Sequence, residues 1–174
     1  MSDIAVARLD RDAVNTYRGE LARLHQAAFG NSDAYMEAYR DVELPEMASF
    51  AGFRCFAAHD QERMIGFVLG YEATADPVWY RNVAEGVRAT PIASWLGRAW
   101  YFGDIAVHPE AQGRGVGSLL HDRIVATVPV RDLVLITYHG DHPARRFYLR
   151  HGWRVLMPDF IYSPGAPPTT LMGQ

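Results

Sequence analysis

Cysteine is nearly missing: Cys55 stands alone among 174 residues. One thiol can close no internal disulfide and build no thiolate metal cage. Positive charge is not in excess either. With 17 basic and 20 acidic side chains the formal net charge is −3, so no general attraction to a nucleic-acid backbone is expected. No window approaches the roughly 20 consecutive apolar residues of a membrane span. The start, Met1-Ser2-Asp3-Ile4-Ala5, lacks the basic cluster and apolar run of a secretion signal. Internal repeats and low-complexity tracts are absent. Neither the G-x-x-x-x-G-K-[ST] pattern of nucleotide hydrolases nor the G-x-S-x-G elbow of serine hydrolases occurs. The expectation is a cytoplasmic protein without nucleic-acid or membrane partners.

What is present suits one globular domain over residues 1–174. Hydrophobic residues make up 49% and charged residues 21%, the balance of an ordinary soluble core and surface. Ile4 to Leu9 reads as a strand. Asp10 can cap a helix running toward Phe29, with Val14, Tyr17, Leu21, Leu24 and Ala28 as its buried stripe. Asn31-Ser32-Asp33 offers a second helix start, with Tyr35, Ala38, Tyr39 and Val42 on one face until Pro45 stops it. Phe53 to Ala58 and Met64 to Glu72 form a hairpin around Asp60-Gln61-Glu62. Ala73 to Gly97 shows no period and reads as a long loop. A strand follows from Trp100 to Val107, then a helix from about Arg114 to Val128 with Val116, Leu119, Leu120, Ile124 and Val128 as its apolar stripe. Leu133 to Tyr138 is an apolar run suited to a central strand. Pro143 to Arg150 is a short helix, and one or two strands follow Trp153 among Pro158, Pro164, Pro167 and Pro168. Strands and helices alternating in the second half imply an α/β fold with a mixed sheet.

The richest stretch is Val107-His108-Pro109-Glu110-Ala111-Gln112-Gly113-Arg114-Gly115-Val116-Gly117-Ser118. A strand runs into a glycine-dense turn that opens a helix. Glycine lets backbone approach a ligand closely, and the first free amides of a helix attract an anion. These residues predict a cradle for a phosphate or pyrophosphate. Gly113, Gly115 and Gly117 read G-x-G-x-G, which is not the dinucleotide G-x-G-x-x-G.

The string Gln112-Gly113-Arg114-Gly115-Val116-Gly117 resembles the Q/R-x-x-G-x-G/A signature of the GNAT superfamily, the acetyl-CoA-dependent N-acetyltransferases. Asp104 to Glu110 resembles that family's fourth strand and the start of its loop. Asp141-His142-Pro143-Ala144-Arg145-Arg146-Phe147-Tyr148-Leu149-Arg150-His151-Gly152-Trp153 is similar to its second motif, N-x-x-A-x-x-F/L-Y-x-x-x-G-F. The resemblance implies a mixed, mostly antiparallel sheet of six to seven strands, flanked by about four helices and splayed at strands 4 and 5. It implies acetyl-CoA as cofactor, its pyrophosphate held by backbone amides from Gly113 to Ser118 and its pantetheine arm paired with Ala106 and Val107. Tyr148 takes the position of the general acid that protonates the departing thiolate. Asp141 replaces the usual asparagine, where it could cap the helix at Pro143 but could not donate a hydrogen bond when ionised.

The chemistry so implied is acetyl transfer to a primary amine by direct attack in a ternary complex. An alkyl ammonium has a pKa of about 10.4, so a base must remove its proton. Asp104 is the first candidate, with Glu72 and His139 behind it. The acidic residue the family often carries a few positions earlier falls near Tyr101 here, so that role is not carried over. For the acceptor, Glu72, Trp79 and Tyr80 lie in a stretch that holds three of the four tryptophans, Trp79, Trp95 and Trp100. Aromatic faces beside carboxylates suit a cationic amine. The same tryptophans could instead pack a loop onto the sheet or form a homodimer contact. Asp41, Glu43 and Glu46 surround the end of the second helix, which in the family walls the acceptor site. A small-molecule amine is therefore favoured over a protein or peptide amino group, and a non-catalytic acyl-CoA-binding module is the competing class. His139-Gly140-Asp141-His142 lies on a loop without a third ligand set, so no metal is expected. Cys55 reads as a core residue. Arg145, Arg146 and Arg150 either reach cofactor phosphates or form a solvated helix face.

Overall fold

The computed structural model describes residues 4–129 and 132–174; Met1 to Asp3, part of the signal-peptide reading, lie outside them. Its strands are β1 (Ile4–Arg8), β2 (Arg54–Asp60), β3 (Arg63–Glu72), β4 (Trp100–Val107), β5 (Leu133–Tyr138), β6 (Arg154–Phe160) and β7 (Thr169–Gly173). The helices are α1 (Arg11–Phe29), α2 (Asp33–Ala38), α3 (Leu44–Met47), α4 (Pro77–Val87), α5 (Val116–Val125) and α6 (Pro143–Arg150). The strands form one mixed sheet in the order β1-β2-β3-β4-β5-β7-β6. The chain divides into two compact units. The first runs up to Tyr71 and resumes for Asp104–Val128; the second holds Glu72–Gly103 and the chain from Pro129 onward.

In the first unit β2 pairs antiparallel with β1 and with β3, and the His108 amide donates to Ile65 O at 2.9 Å where β4 ends. Asp10 starts α1 by accepting from the Ala13 amide at 2.9 Å. The helix buries Val14, Leu21, Ala22, Leu24 and His25 against Cys55, Ala57, Phe67 and Leu69 of β2 and β3. Each large aliphatic so buried contributes about 1.5–3 kcal/mol. Tyr17, expected in that stripe, is 45% exposed: the wedge facing the sheet runs through His25 instead. α5 packs on β3 at Gly66, where a side chain would stand 3.0 Å from Ala106 O and Leu120 Cδ1. Its buried stripe is Val116, Leu120, His121 and Ile124, while Leu119 faces solvent.

The second helix departs most from expectation. Ser32, from the expected start Asn31-Ser32-Asp33, caps it by accepting from the Tyr35 amide, but Pro45 does not stop it. The chain passes through a π-helical turn, Tyr39–Glu43, and Pro45 sits in the first turn of α3, where its missing N–H costs nothing. The wider turn changes which side chains face inward: Met36, Tyr39 and Leu44 are buried, whereas Tyr35 and Val42 are exposed.

In the second unit β4 runs parallel to β5 through Trp100↔Leu133 and Tyr101↔Val134, and β7 lies antiparallel between β5 and β6. Pro158 is accommodated on β6 where the register slips between Met157 and Phe160. The predicted long loop is largely helical. Asp76 caps α4 by accepting from the Val78 and Trp79 amides, Pro77 is in its first turn, and Trp79, Val83 and Val87 are buried. That stripe had been obscured by the surrounding aromatics and small residues.

Candidate active site

The glycine loop leaves β4 with Gly113 and Gly115 at φ 74° and 81°, a region other residues enter only with strain. A Cβ built on either glycine would meet nothing within 4 Å. Gly115 is the N-cap of α5, so the concave face of the loop is open and lies at the positive end of the helix. This arrangement fits a pyrophosphate. The side chains around it look elsewhere. Gln112 Nε2 donates back to Val107 O at 3.2 Å, and Arg114 donates to Asp60 Oδ2 at 2.8 Å. Of the predicted binders Gln112 to Ser118, the two side chains Gln112 and Arg114 thus brace the loop, which leaves contact with an anion to backbone amides. A cavity of about 300 Å³ on the Asp60 side is lined also by Arg63, His108 and Glu110. Its arginines are already matched by carboxylates, Arg63 with Glu110 and Arg114 with Asp60.

Backbone direction on β4 refines a second expectation. His108 donates to β3, and alternation along a strand turns Ala106 the same way; its carbonyl lies beside Gly66 of β3. Ala106 therefore pairs inside the sheet. Val107 and Ile105 face the opposite edge by the same alternation.

Asp104 is part of a polar cluster under α1 and α2. The Tyr39 hydroxyl donates to Asp104 Oδ2 at 2.7 Å, and His25 Nε2 stands 3.9 Å from the same oxygen. The His25 ring contacts Tyr39 and Phe29, with centroids 4.4 Å and 4.5 Å away, and Tyr35 stacks beyond Tyr39 at 6.3 Å. Burial, and then the Asp104 charge, push the Tyr39 phenol well up; burial followed by Glu43 and Asp104 pushes Tyr35 to about 12. Glu43 is raised by burial and then by Asp104 and Glu46. Burial lowers the His25 pKa against the opposing pull of Asp104. Cys55, buried as expected, has its thiol raised by the same burial and charge. His25, Tyr35 and Tyr39 were missed as site residues. Tyr35 and Tyr39, four positions apart, share a helical face, but His25 lies on α1, and nothing local links it or Tyr39 to Asp104.

The second unit holds the remaining predicted residues. Tyr148 is 6% exposed and packs edge-on to Phe102 and Trp153 at 5.8 and 5.7 Å. Asp141 accepts from Arg146 at 2.7 Å and does not cap α6; His142 does, through Nδ1 and the Ala144 amide, because it is the residue adjoining Pro143. Arg145 donates to Gly140 O at 3.0 Å. His139 bonds Asp159 at 2.7 Å. Trp79 is buried and lies 4.2 Å from Tyr101, so its indole is core and offers no open face to a cation. Tyr80 is half-buried beside it and Glu72 is exposed at the end of β3.

The acetyltransferase (GNAT) domain profile matches residues 51–155. The chain belongs to the GNAT acetyltransferase family. Solved structures agree across the whole length. Aminoglycoside 6'-acetyltransferase type Ii superimposes with TM-score 0.66 at 18% identity, covering 98% of this chain and 96% of that one. Arabidopsis thaliana NAA60 in complex with a bisubstrate analogue gives 0.63 at 17%, covering 99% and 97%. The PaiA N-acetyltransferase of Thermoplasma acidophilum, solved with coenzyme A, gives 0.61 at 13%, covering 99% and 98%. A search of curated protein sequences returns no match. The GNAT cofactor is acetyl-CoA, and the open glycine cradle at the start of α5 fits it. Among the described residues no helix is long and apolar enough to cross a membrane.

Proposed function

We propose that this GNAT protein moves the acetyl group of acetyl-CoA onto a primary amine of a small cytoplasmic molecule. The observation that carries the reading is Asp104: a β4 carboxylate bonded by Tyr39 on one oxygen and flanked by the rings of His25, Tyr35 and Tyr39. Tyr39 and His25 are buried, so an alkylammonium would meet the part-exposed Asp104 carboxylate and the face of the Tyr35 ring. The exposed Tyr35 ring and the half-buried Glu43 extend the attraction outward. An aminoglycoside acetyltransferase among the structural neighbours is consistent with a cationic small molecule.

Acetyl-CoA supplies the acyl group as a thioester. Asp104 takes the ammonium proton, which at pH 7 costs roughly 4–5 kcal/mol to remove without a base. The Val107 amide donates to the carbonyl oxygen as charge grows there. Tyr148 returns a proton to the leaving sulfur, the role the family motif assigns to its position. The amine nitrogen gains the acyl carbon and the carbon–sulfur bond breaks; the second proton that nitrogen sheds as the amide forms restores the Tyr148 phenol, and the proton on Asp104 leaves to solvent.

The test is thiol release over a panel of di- and polyamines, aminoglycosides and peptides, comparing the wild type with Asp104→Asn. The chain contains no lysine, so side-chain autoacetylation adds no background. Asp104→Asn should cut kcat/KM by about 10²–10⁴ while acetyl-CoA affinity by calorimetry is kept. Full activity in that variant would remove Asp104 as the base. Binding of acetyl-CoA without turnover on any amine would replace the enzyme reading with a binding module.

A further inference from the structure

Both protein contacts of the Asp104 carboxylate fall on Oδ2; among the described residues Oδ1 receives no hydrogen bond. An aspartate otherwise turns readily about its last torsion and can present either oxygen. We propose that Tyr39 and His25 are positioning residues, which hold Asp104 by Oδ2 and so make Oδ1 the oxygen that takes the substrate proton. The inference rests on the reading of Asp104 as the base.

The details of the cluster favour this role. Tyr39 is 1% exposed, its ring packs in a triangle with those of His25 and Tyr35, and its hydroxyl can swing little. Burial keeps that hydroxyl protonated, and therefore a donor, throughout the working range. His25 Nδ1 faces the Asn31 amide nitrogen at 3.4 Å. An amide nitrogen only donates, so this contact is made by the tautomer that carries its proton on Nε2, the nitrogen directed at Asp104. At 3.9 Å that N–H acts as an oriented dipole more than as a hydrogen bond.

The titratable groups facing Asp104 are His25 from α1, Tyr35 from α2, Tyr39 and Glu43 from the π turn, and Cys55 from β2. The rings and the thiol are kept neutral by burial, and Glu43 is a like charge. Among the described residues no arginine pairs with Asp104. An arginine would fix the carboxylate equally well but would neutralise it and weaken it as a base. Neutral donors fix it at a smaller cost in basicity than an arginine would impose.

The experiment follows Tyr39→Phe, His25→Gln and Asp104→Asn from neutral pH down through the carboxylate range, to about pH 3. It reads kcat and KM with a short alkyl diamine, and the carboxyl titration of isotope-labelled aspartate by NMR, which needs no acceptor. Asp104→Asn assigns the resonance by deleting it. Tyr39→Phe keeps the ring and loses the bond to the charged form, so the acid limb and the NMR midpoint should both move to higher pH. Its kcat should fall about tenfold at the acid end, the equivalent of ~1.4 kcal/mol, with the deficit closing as pH rises and KM little changed. His25→Gln should shift the same way by less, and it carries the test if Tyr39→Phe does not fold. An inactive Asp104→Asn beside variants with wild-type midpoints, or with losses equal at every pH, overturns the positioning role alone. A fully active Asp104→Asn instead removes the base assignment beneath it.

Discussion

Two aromatic, acid-containing regions of this chain look alike as sequence and differ as structure. The stretch around Trp79, Tyr80, Trp95 and Tyr101 in the second unit has the higher density of large rings. The face made by His25, Tyr35 and Tyr39 in the first unit is sparser. Yet Trp79 packs among Val83, Val87, Phe160 and Leu171, and its neighbour Asp76 spends its carboxylate capping α4. The first-unit rings gather around Asp104, a carboxylate that caps nothing and keeps one oxygen open. Aromatic density is therefore a poor guide to a cation site. What matters is whether the local carboxylate is already used by backbone.

The comparison can be broken most sharply at the glycine loop, which belongs to the first unit. Gly115→Asp puts a like charge and a side chain into the open cradle, at a φ of 81° that aspartate tolerates poorly. A repulsion of roughly 4 kcal/mol at short range would weaken acetyl-CoA binding about a thousandfold. Calorimetry should show this in a protein whose circular dichroism is native; undiminished affinity would sink the cradle. Trp79→Ala asks the converse question of the second unit. Removing a buried indole should cost about 3–5 kcal/mol of stability, seen as a lower denaturation midpoint, while KM for the amine stays unchanged in the folded fraction. A stable variant with a raised KM would return Trp79 to the acceptor site.

The smallest effect is expected at Glu43. Its pKa is raised by burial and by Asp104, so the folded state penalises its charge. The penalty is absent below the ordinary value of 4.5 and grows as pH rises through the folded value. Glu43→Gln should accordingly raise Tm at pH 7 by something on the order of a degree, with the gain vanishing under acid conditions. A loss of stability at pH 7 would mean that Glu43 has a favourable partner and is not a strained neighbour of Asp104.

Much of this was legible in the sequence, for definite reasons. The glycine loop is local chemistry: a strand, two residues forced to positive φ and a helix start lie within a dozen positions. The Asp10 cap, the helix start at Asn31-Ser32-Asp33 and the β2–β3 hairpin are local too, and each was read correctly. Tyr148 and its motif were found by resemblance. The readings that failed depend on what packs against what. Pro45 was taken as a stop because proline breaks a helix interior, but a π turn ahead of it resets the count and makes it a first-turn residue. Asp141 was taken as a cap, but His142 is one position better placed.

The sequence by itself determined the family, the order of the strands and the glycine turn that opens α5, because all three are written in residues close together along the chain. The tertiary structure decided what surrounds the proposed base. Asp104 and Tyr39 are 65 positions apart, and nothing in either neighbourhood announces the other. Their bond exists because α1 and the π turn fold over the first unit's strands to bury apolar side chains, and that burial brings a phenol against a β4 carboxylate.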